Sequence, residues 1–81
     1  MKNYILEIIK RSDKTEIRIQ RCKSEDKDYE LIDIRIFFDV NGIGDYKPTK
    51  KGLTMSPNNW ETFKHAVNNV TIFDRLTNKW I

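Results

Sequence analysis

Residues 31–40 alternate between two kinds of side chain, as the residues of a β-strand do. One parity is wholly apolar and consists of Ile32, Ile34, Ile36, Phe38 and Val40. The other parity combines acids, a guanidinium and a phenyl ring in Leu31, Asp33, Arg35, Phe37 and Asp39. The pattern predicts a strand with one core face. It leaves the second face open as either a solvated exterior or a binding surface.

Two further strands are predicted upstream as a hairpin. Tyr4–Lys10 is rich in β-forming residues but does not alternate cleanly, which indicates a strand buried on both sides or in a dimer contact. Arg11–Lys14 is typical of a turn, and Thr15–Cys22 alternates again. Its inward positions are Ile17 and Ile19, and its outward positions are Arg18 and Gln20.

A turn and a lysine cluster follow the alternating strand. Asn41–Gly44 is a turn because glycine tolerates positive φ and asparagine supports local hydrogen bonds. The segment 46–52 then holds Lys47, Lys50 and Lys51 with a tyrosine and no acid, before a short strand at 53–55. Lysines this close repel one another unless an anion neutralises them or water solvates them.

The next segment predicts a helix. Ser56 is a good N-cap, and Pro57 at the first helical position has no N–H to leave unsatisfied. An apolar stripe recurs at helical spacing in Trp60, Phe63, Val67 and Val70, and Asn68–Asn69 is a plausible stop. The tail, Thr71–Ile81, is apolar at helical spacing too. It predicts a second short helix or a continuation, packed on the sheet or on a partner subunit.

Composition bounds the function classes. A chain of 81 residues is one small domain with about 3–5 kcal/mol of net stability, which dimerisation would raise. One cysteine, Cys22, and one histidine, His65, argue against structural zinc, and no pattern predicts a cofactor or an enzyme. No apolar run approaches the ~20 residues of a membrane span, and no signal peptide is evident. We expect a cytoplasmic, nucleoid-associated protein. Its net charge of +3 is spread evenly, so the lysine cluster argues for nucleic acid better than the total does.

The order of motifs between positions 31 and 60 resembles the single-stranded-DNA-binding domain of the positive cofactor four transcriptional coactivators. The matching residues are Ile32-Asp33-Ile34-Arg35, Phe37-Phe38, Lys47-Pro48, Lys51-Gly52, Leu53-Thr54-Met55, and Pro57 with Trp60. The resemblance implies a single domain over residues 1–81 with an α+β fold, a curved four-stranded antiparallel sheet followed by a C-terminal helix (ββββα). It also implies a homodimer without catalysis, similar to a short prokaryotic or phage member.

Carried over residue by residue, the resemblance implies that Arg35, Phe38, Lys47 and Lys51 contact nucleic acid. The family commonly has tryptophan at the position of Phe38. Strict alternation places Phe37 on the face of Arg35 instead, and a bulge near the strand end would bring Phe38 there. Both rings therefore stay candidates.

Further candidate contacts are basic residues near these positions: Lys50, Arg18, and the loop residues Lys23 and Lys27. Together they predict a protein that binds single-stranded DNA, or a melted duplex, with little sequence specificity and acts as a transcriptional coactivator. A protein-interaction or assembly module that recruits transcription or phage machinery, and an RNA-binding module, are the alternatives.

Overall fold

The computed structural model describes residues 2–25 and 28–81. Four strands form one antiparallel sheet in the order β1-β2-β3-β4, and they are followed by helix α1. The bounds are β1 Lys2–Lys10, β2 Thr15–Lys23, β3 Glu30–Asp39, β4 Tyr46–Met55 and α1 Pro57–Asn68. This arrangement confirms the predicted ββββα fold and both hairpins. Among the described residues, no helix is long and apolar enough to cross a membrane.

The alternation of β2 and β3 gives the sheet two chemically different faces. Their pairing is unbroken from Thr15 opposite Phe38 to Lys23 opposite Glu30, so directly paired residues share a face. We call the face bearing Arg18, Arg35 and Phe37 the arginine face. The opposite one, bearing Ile17, Ile19, Ile34 and Phe38, is the helix face, because α1 lies against it.

Burial is concentrated on the arginine face, contrary to the prediction that the wholly apolar parity forms the core. The buried side chains on it are Glu16, Gln20, Cys22, Asp33, Phe37 and Asp39, whereas only Ile32 is buried on the helix face among the described residues. The helix face is less buried than predicted because α1 shields only part of it, and α1 itself has no buried residue. Burial also raises the pKa of the Cys22 thiol.

Strand β1 is one of the two edge strands of the sheet. Each of its nine residues is exposed, including Ile5, Leu6, Ile8 and Ile9. The prediction of a strand buried on both sides is therefore wrong within this protomer, because side chains on both faces of β1 are exposed. The alternative, a contact with a second copy, stays a prediction.

Helix α1 begins and ends where its capping residues predict. Ser56 Oγ accepts a hydrogen bond from the Asn59 N–H at 3.3 Å, and Pro57 occupies the first turn. The helix ends at Asn68, with Asn69 as its C-cap. Both ends are therefore set by local sequence.

The β3–β4 turn is organised by Asp39. Its carboxylate accepts the N–H groups of Gly44 and Asp45 at 3.0 and 3.1 Å, while Gly42 and Gly44 adopt φ of 72° and 90°. Burial alone would raise the pKa of Asp39. The backbone N–H groups outweigh it and hold the pKa below its ordinary value.

The C-terminal tail is a hairpin, so the prediction of a second helix is wrong. Two short strands, β5 Phe73–Asp74 and β6 Lys79–Trp80, pair in a separate sheet. Asp74 Oδ1 accepts the N–H of Leu76 at 2.9 Å, and Asn78 has φ 57°. These turn features override the helical spacing of the apolar residues.

Candidate nucleic-acid interface

A bulge in β4 lies beside the predicted site. Arg35 pairs with Gly52 and Phe37 pairs with Pro48, so the segment 49–51 faces the single residue between the two β3 partners. A bulge re-aims side chains that regular pairing would fix. The irregularity was predicted for β3; the extra residues belong to β4, and they include two of the three clustered lysines.

Three hydrogen bonds hold this bulge in place. Thr49 Oγ1 donates to the carbonyl oxygen of Ile36 at 2.7 Å, and the Lys51 N–H donates to Thr49 Oγ1 at 3.2 Å. On the other side, Arg35 Nη1 donates to the carbonyl oxygen of Thr49 at 2.9 Å. Thr49 is therefore tied to β3 through both its side chain and its backbone.

Gly52 lets β4 rejoin β3 directly after the bulge. A Cβ atom at this position would lie 2.6 Å from the carbonyl oxygen of Ile34 and 2.9 Å from Arg35 Cα. Both are backbone atoms of the neighbouring strand and cannot swing aside. Sequence reasoning found Gly52 as part of a motif but missed this close approach, for which a glycine inside a strand is a general signal.

The three clustered lysines are all exposed on β4. Lys47 Nζ lies 3.4 Å from Asp45 Oδ1 and pairs across the sheet with Phe38. Lys50 and Lys51 form no ion pair with any residue that the structure describes. Two positive charges next to each other thus remain available to an anion.

The two adjacent phenylalanines differ sharply in exposure. The Phe37 side chain is 6% exposed and lies under the guanidinium of Arg18, with 4.4 Å between Arg18 Cζ and the ring centroid. Phe38 is 41% exposed and faces the other side of the sheet, next to Lys47. Strict parity thus places Phe37 on the face of Arg35, as predicted, and leaves Phe38 as the accessible ring.

Arg18 is held in a network on the arginine face. Its Nε donates to Glu16 Oε2 at 2.6 Å, and its guanidinium also lies 5.3 Å from the centroid of the Tyr46 ring. The Tyr46 hydroxyl accepts a hydrogen bond from Lys10 Nζ at 3.0 Å, and that bond raises the pKa of Lys10. The network links β1, β2 and β4 across the face.

Arg35 is engaged in a similar way. Its Nε and Nη2 donate to Asp33 Oδ1 at 3.2 and 3.0 Å, and its side chain is 22% exposed. Together with the bond to Thr49, these contacts occupy three nitrogens of the guanidinium. In this protomer, Arg35 therefore holds the bulge that carries the lysines.

The predicted site residues that the structure describes lie in four places. Phe38, Lys47 and Lys51 lie together on the helix face, whereas Arg18, Arg35 and Phe37 lie on the arginine face. Lys50 lies in the bulge between them. Lys23 lies at the far end of β2, roughly 26 Å from Thr15 opposite Phe38 at 3.3 Å per strand residue. Lys27 lies outside the described residues.

An apolar trough runs along the helix face toward Lys51. A cavity of about 430 Å³ separates the sheet from α1, and its apolar lining is Ile9, Ile17, Ile19, Ile34, Trp60, Phe63 and Val67. A second cavity of about 290 Å³ shares Ile17 and Ile34 with the first and reaches Lys51 and Leu53. The trough is open, with room for a flat apolar group or a partner side chain beside positive charge.

Among residues 2–25 and 28–81, no group of three or more His, Cys, Asp or Glu side chains could hold a metal ion.

Comparisons with known proteins place these features in a family. Neither the curated proteins nor the solved structures give a match to the chain. A family model described as Transcriptional Coactivator p15 (PC4) matches residues 9–66, which spans β2, β3, β4 and most of α1. The chain therefore belongs to the PC4 family of DNA-binding transcriptional coactivators.

Proposed function

We propose that the protein binds single-stranded DNA with little sequence specificity and acts as a transcriptional coactivator without catalysing a reaction. The observation that carries the proposal is that an exposed ring, Phe38, pairs across the sheet with the exposed Lys47, while the exposed Lys50 and Lys51 lie in the bulge of the same strand β4. Unpaired bases offer π-faces to such a ring, and phosphates offer charge to the lysines. Neither contact reads the identity of a base.

The bulge in β4 supports the proposal because Lys50 and Lys51 lie in it and both side chains are exposed. A strand of DNA lying along the β4 edge of the helix face would place a base against Phe38 and its phosphates near Lys47 and Lys51. In this arrangement Arg35 is a positioning residue that acts through Thr49. Arg18 stays a predicted contact with nucleic acid. In this structure its guanidinium packs over the Phe37 ring, and its side chain is mostly buried.

Homodimerisation is part of the proposal. The stripe of α1 remains open at Phe63 and Val67, and β1 presents an unpaired edge with exposed isoleucines. A domain of this size has a modest core, and a second copy would cover both surfaces. Phe63→Glu should therefore shift the mass measured by light scattering toward the monomer, while Lys64→Glu on the same helix serves as a charge control. Unchanged mass for Phe63→Glu would contradict a dimer through α1.

Binding is tested by titrating labelled oligo-dT and a duplex of equal length at about 50 and 200 mM salt. We expect tighter binding of the single strand and a steep loss of affinity at the higher salt, because bound phosphates release counterions. Lys47→Glu/Lys50→Glu/Lys51→Glu should abolish binding while leaving the fold and the mass unchanged. Equal affinity for both DNA forms, or no binding to either, would refute the proposal.

A protein-interaction module is a second candidate, favoured by the C-terminal hairpin. Leu76 is 97% exposed there and Trp80 is 69% exposed, although both are large apolar residues. If this is the main function, the triple lysine variant keeps full coactivator activity in a transcription assay. Oligo-rU titrated beside oligo-dT separates the RNA-binding alternative, since a stacking groove alone does not read the 2′-hydroxyl.

A further inference from the structure

The C-terminal hairpin lies beyond the segment that matches the family. The match covers residues 9–66 and stops inside α1, whereas the hairpin strands β5 and β6 follow at 73–74 and 79–80. The family therefore assigns the hairpin no role, and its role has to be inferred from the residues of this chain.

Hydrogen bonds and one ring contact hold the hairpin together. The Ile72 N–H donates to the carbonyl oxygen of Ile81 at 2.6 Å, and the Ile81 N–H donates to that of Ile72 at 2.8 Å. The rings of Phe73 and Trp80 meet edge to face, with 5.4 Å between their centroids. A hairpin of only two strands is marginally stable in water unless its apolar side packs on another element. We therefore expect a further surface to cover it.

The rest of the protomer does not supply this cover. Leu76, at the tip of the hairpin, is 97% exposed, and Ile72, Trp80 and Ile81 are exposed too. Strands β5 and β6 pair only with each other, and within the described residues the hairpin has no extended contact with the four-stranded sheet or with α1. Its apolar side chains face solvent in an isolated protomer.

The protomer is also flatter and longer than a self-contained domain. It measures 50 × 36 × 18 Å and has a radius of gyration of 15.3 Å. A compact domain of 81 residues has a radius of gyration of about 12 Å. This shape is typical of a subunit whose core is completed by a second copy.

The apolar trough is the surface of the same chain that matches the hairpin. The space of about 430 Å³ between the sheet and α1 has an apolar lining, and Val67 and Asn68 in the last turn of α1 form part of its rim. Exposed apolar residues continue from Phe63 and Val67 through Val70 and Ile72 into the hairpin. The stripe of α1 that the proposed function gives to a second copy is thus continuous with the hairpin.

We propose that the C-terminal hairpin of one copy docks between the sheet and α1 of a second copy, with Leu76 inserted in the trough, and that the exchange is reciprocal. The hairpin leaves its own trough open, and a two-fold axis gives both copies the same contact. The inference rests on the homodimer of the proposed function and names the segment that completes its interface. The described lining of this space includes no lysine of β4, so the contact leaves the clustered lysines open to a nucleic acid strand.

The test measures the dimer dissociation constant of the full chain by analytical ultracentrifugation. Leu76→Glu should raise it about 30-fold, as expected for the loss of a central interface side chain, with an unchanged circular dichroism spectrum because Leu76 is exposed in the protomer. Leu76→Met should stay near wild type. The matched control is Thr77→Glu, which places the same charge on the next exposed residue of the same turn and should have little effect. Equal weakening by both glutamates would reduce the effect to charge and overturn the docking.

Phe63→Glu separates this inference from the homodimer on which it rests. A wild-type dimer that both Phe63→Glu and Leu76→Glu dissociate supports the docking. A dimer that Phe63→Glu dissociates and Leu76→Glu leaves intact would overturn the docking alone and would leave the hairpin to a different protein partner. A wild-type chain that stays monomeric at every concentration would overturn both.

Cross-linking tests which surfaces meet. A chain with Leu76→Cys and a differently tagged chain with Val67→Cys are mixed and oxidised, and the wild type is the blank because its single cysteine, Cys22, is buried. We expect a disulfide that joins the two tags. Cross-links only between two Leu76→Cys chains would show that the hairpins meet each other, and they would overturn the docking. A chain carrying both substitutions that forms the disulfide within itself would show docking in its own trough and would overturn the exchange.

Discussion

Phe37 and Phe38 are neighbours in β3, yet truncating them should have opposite consequences. Phe37 is buried under Arg18, whereas Phe38 is 41% exposed beside Lys47. If Phe38 stacks on a base, Phe38→Ala should cost about 1–3 kcal/mol of binding free energy, the range for one stacked base. Its cost in folding stability should be about 1 kcal/mol, because only part of the ring leaves water on folding.

The reverse holds for Phe37. Removal of a buried phenyl ring costs about 3–5 kcal/mol, which equals the whole net stability expected of so small a domain. Phe37→Ala should therefore fail to fold, so Phe37→Leu is the useful variant. It keeps apolar volume but loses the contact with the Arg18 guanidinium, and we expect a stability loss of about 1–2 kcal/mol with the oligonucleotide affinity little changed.

The assay measures both quantities on each variant. Urea unfolding followed by tryptophan fluorescence gives the folding free energy, and fluorescence anisotropy of labelled oligo-dT gives the affinity. Phe38→Trp is the conservative control and should bind at least as tightly as wild type, because indole offers a larger stacking surface. The reasoning fails if Phe38→Ala binds normally while Phe37→Leu loses affinity at unchanged stability.

Three shorter predictions follow from the same strands. Gly52→Ala should lower the free energy of unfolding by about 1–3 kcal/mol, because its Cβ would overlap the β3 backbone; equal stability in urea would contradict the close approach. The lowered pKa of Asp39 adds stability that is present above the ordinary carboxyl pKa of about 3.9 and is lost as pH falls through the folded-state value. Asp39→Asn should therefore be less stable than wild type at neutral pH and should lose less on acidification, as urea midpoints at several pH values will show. Arg35→Lys should weaken oligo-dT binding without making its salt dependence shallower, since Arg35 acts through Thr49; a shallower salt slope would instead indicate direct phosphate contact.

The sequence predicted those features that depend on local chemistry. Strict alternation placed Arg35 and Phe37 on one face, and the regular pairing of β2 with β3 preserves that assignment. Ser56 and Pro57 set the start of α1, as capping preferences require. The order β1-β2-β3-β4-α1 agrees with the prediction, and the family match over residues 9–66 confirms the resemblance of the segment 31–60.

The features that the sequence did not predict depend on contacts between segments. A bulge was expected in β3, but two extra residues in β4 accommodate the mismatch, and only the pairing across strands reveals this. The tail shows the same limit, since helical spacing of Phe73, Leu76 and Trp80 competes with the Asx turn at Asp74 and the positive φ of Asn78. Hydrophobic period cannot decide such a case when turn chemistry favours a hairpin.

The distribution of paired and unpaired charge over the two faces matters more than the net charge of +3. On the arginine face, Arg18 and Arg35 are neutralised by Glu16 and Asp33, and a third acid is used by the β3–β4 turn. The acids thus serve to order the sheet, whereas the lysines of the bulge have no such partner among the described residues. Because an unpaired cation attracts phosphate at a lower desolvation cost than a paired one, we expect a nucleic acid strand to bind on the helix face of the sheet.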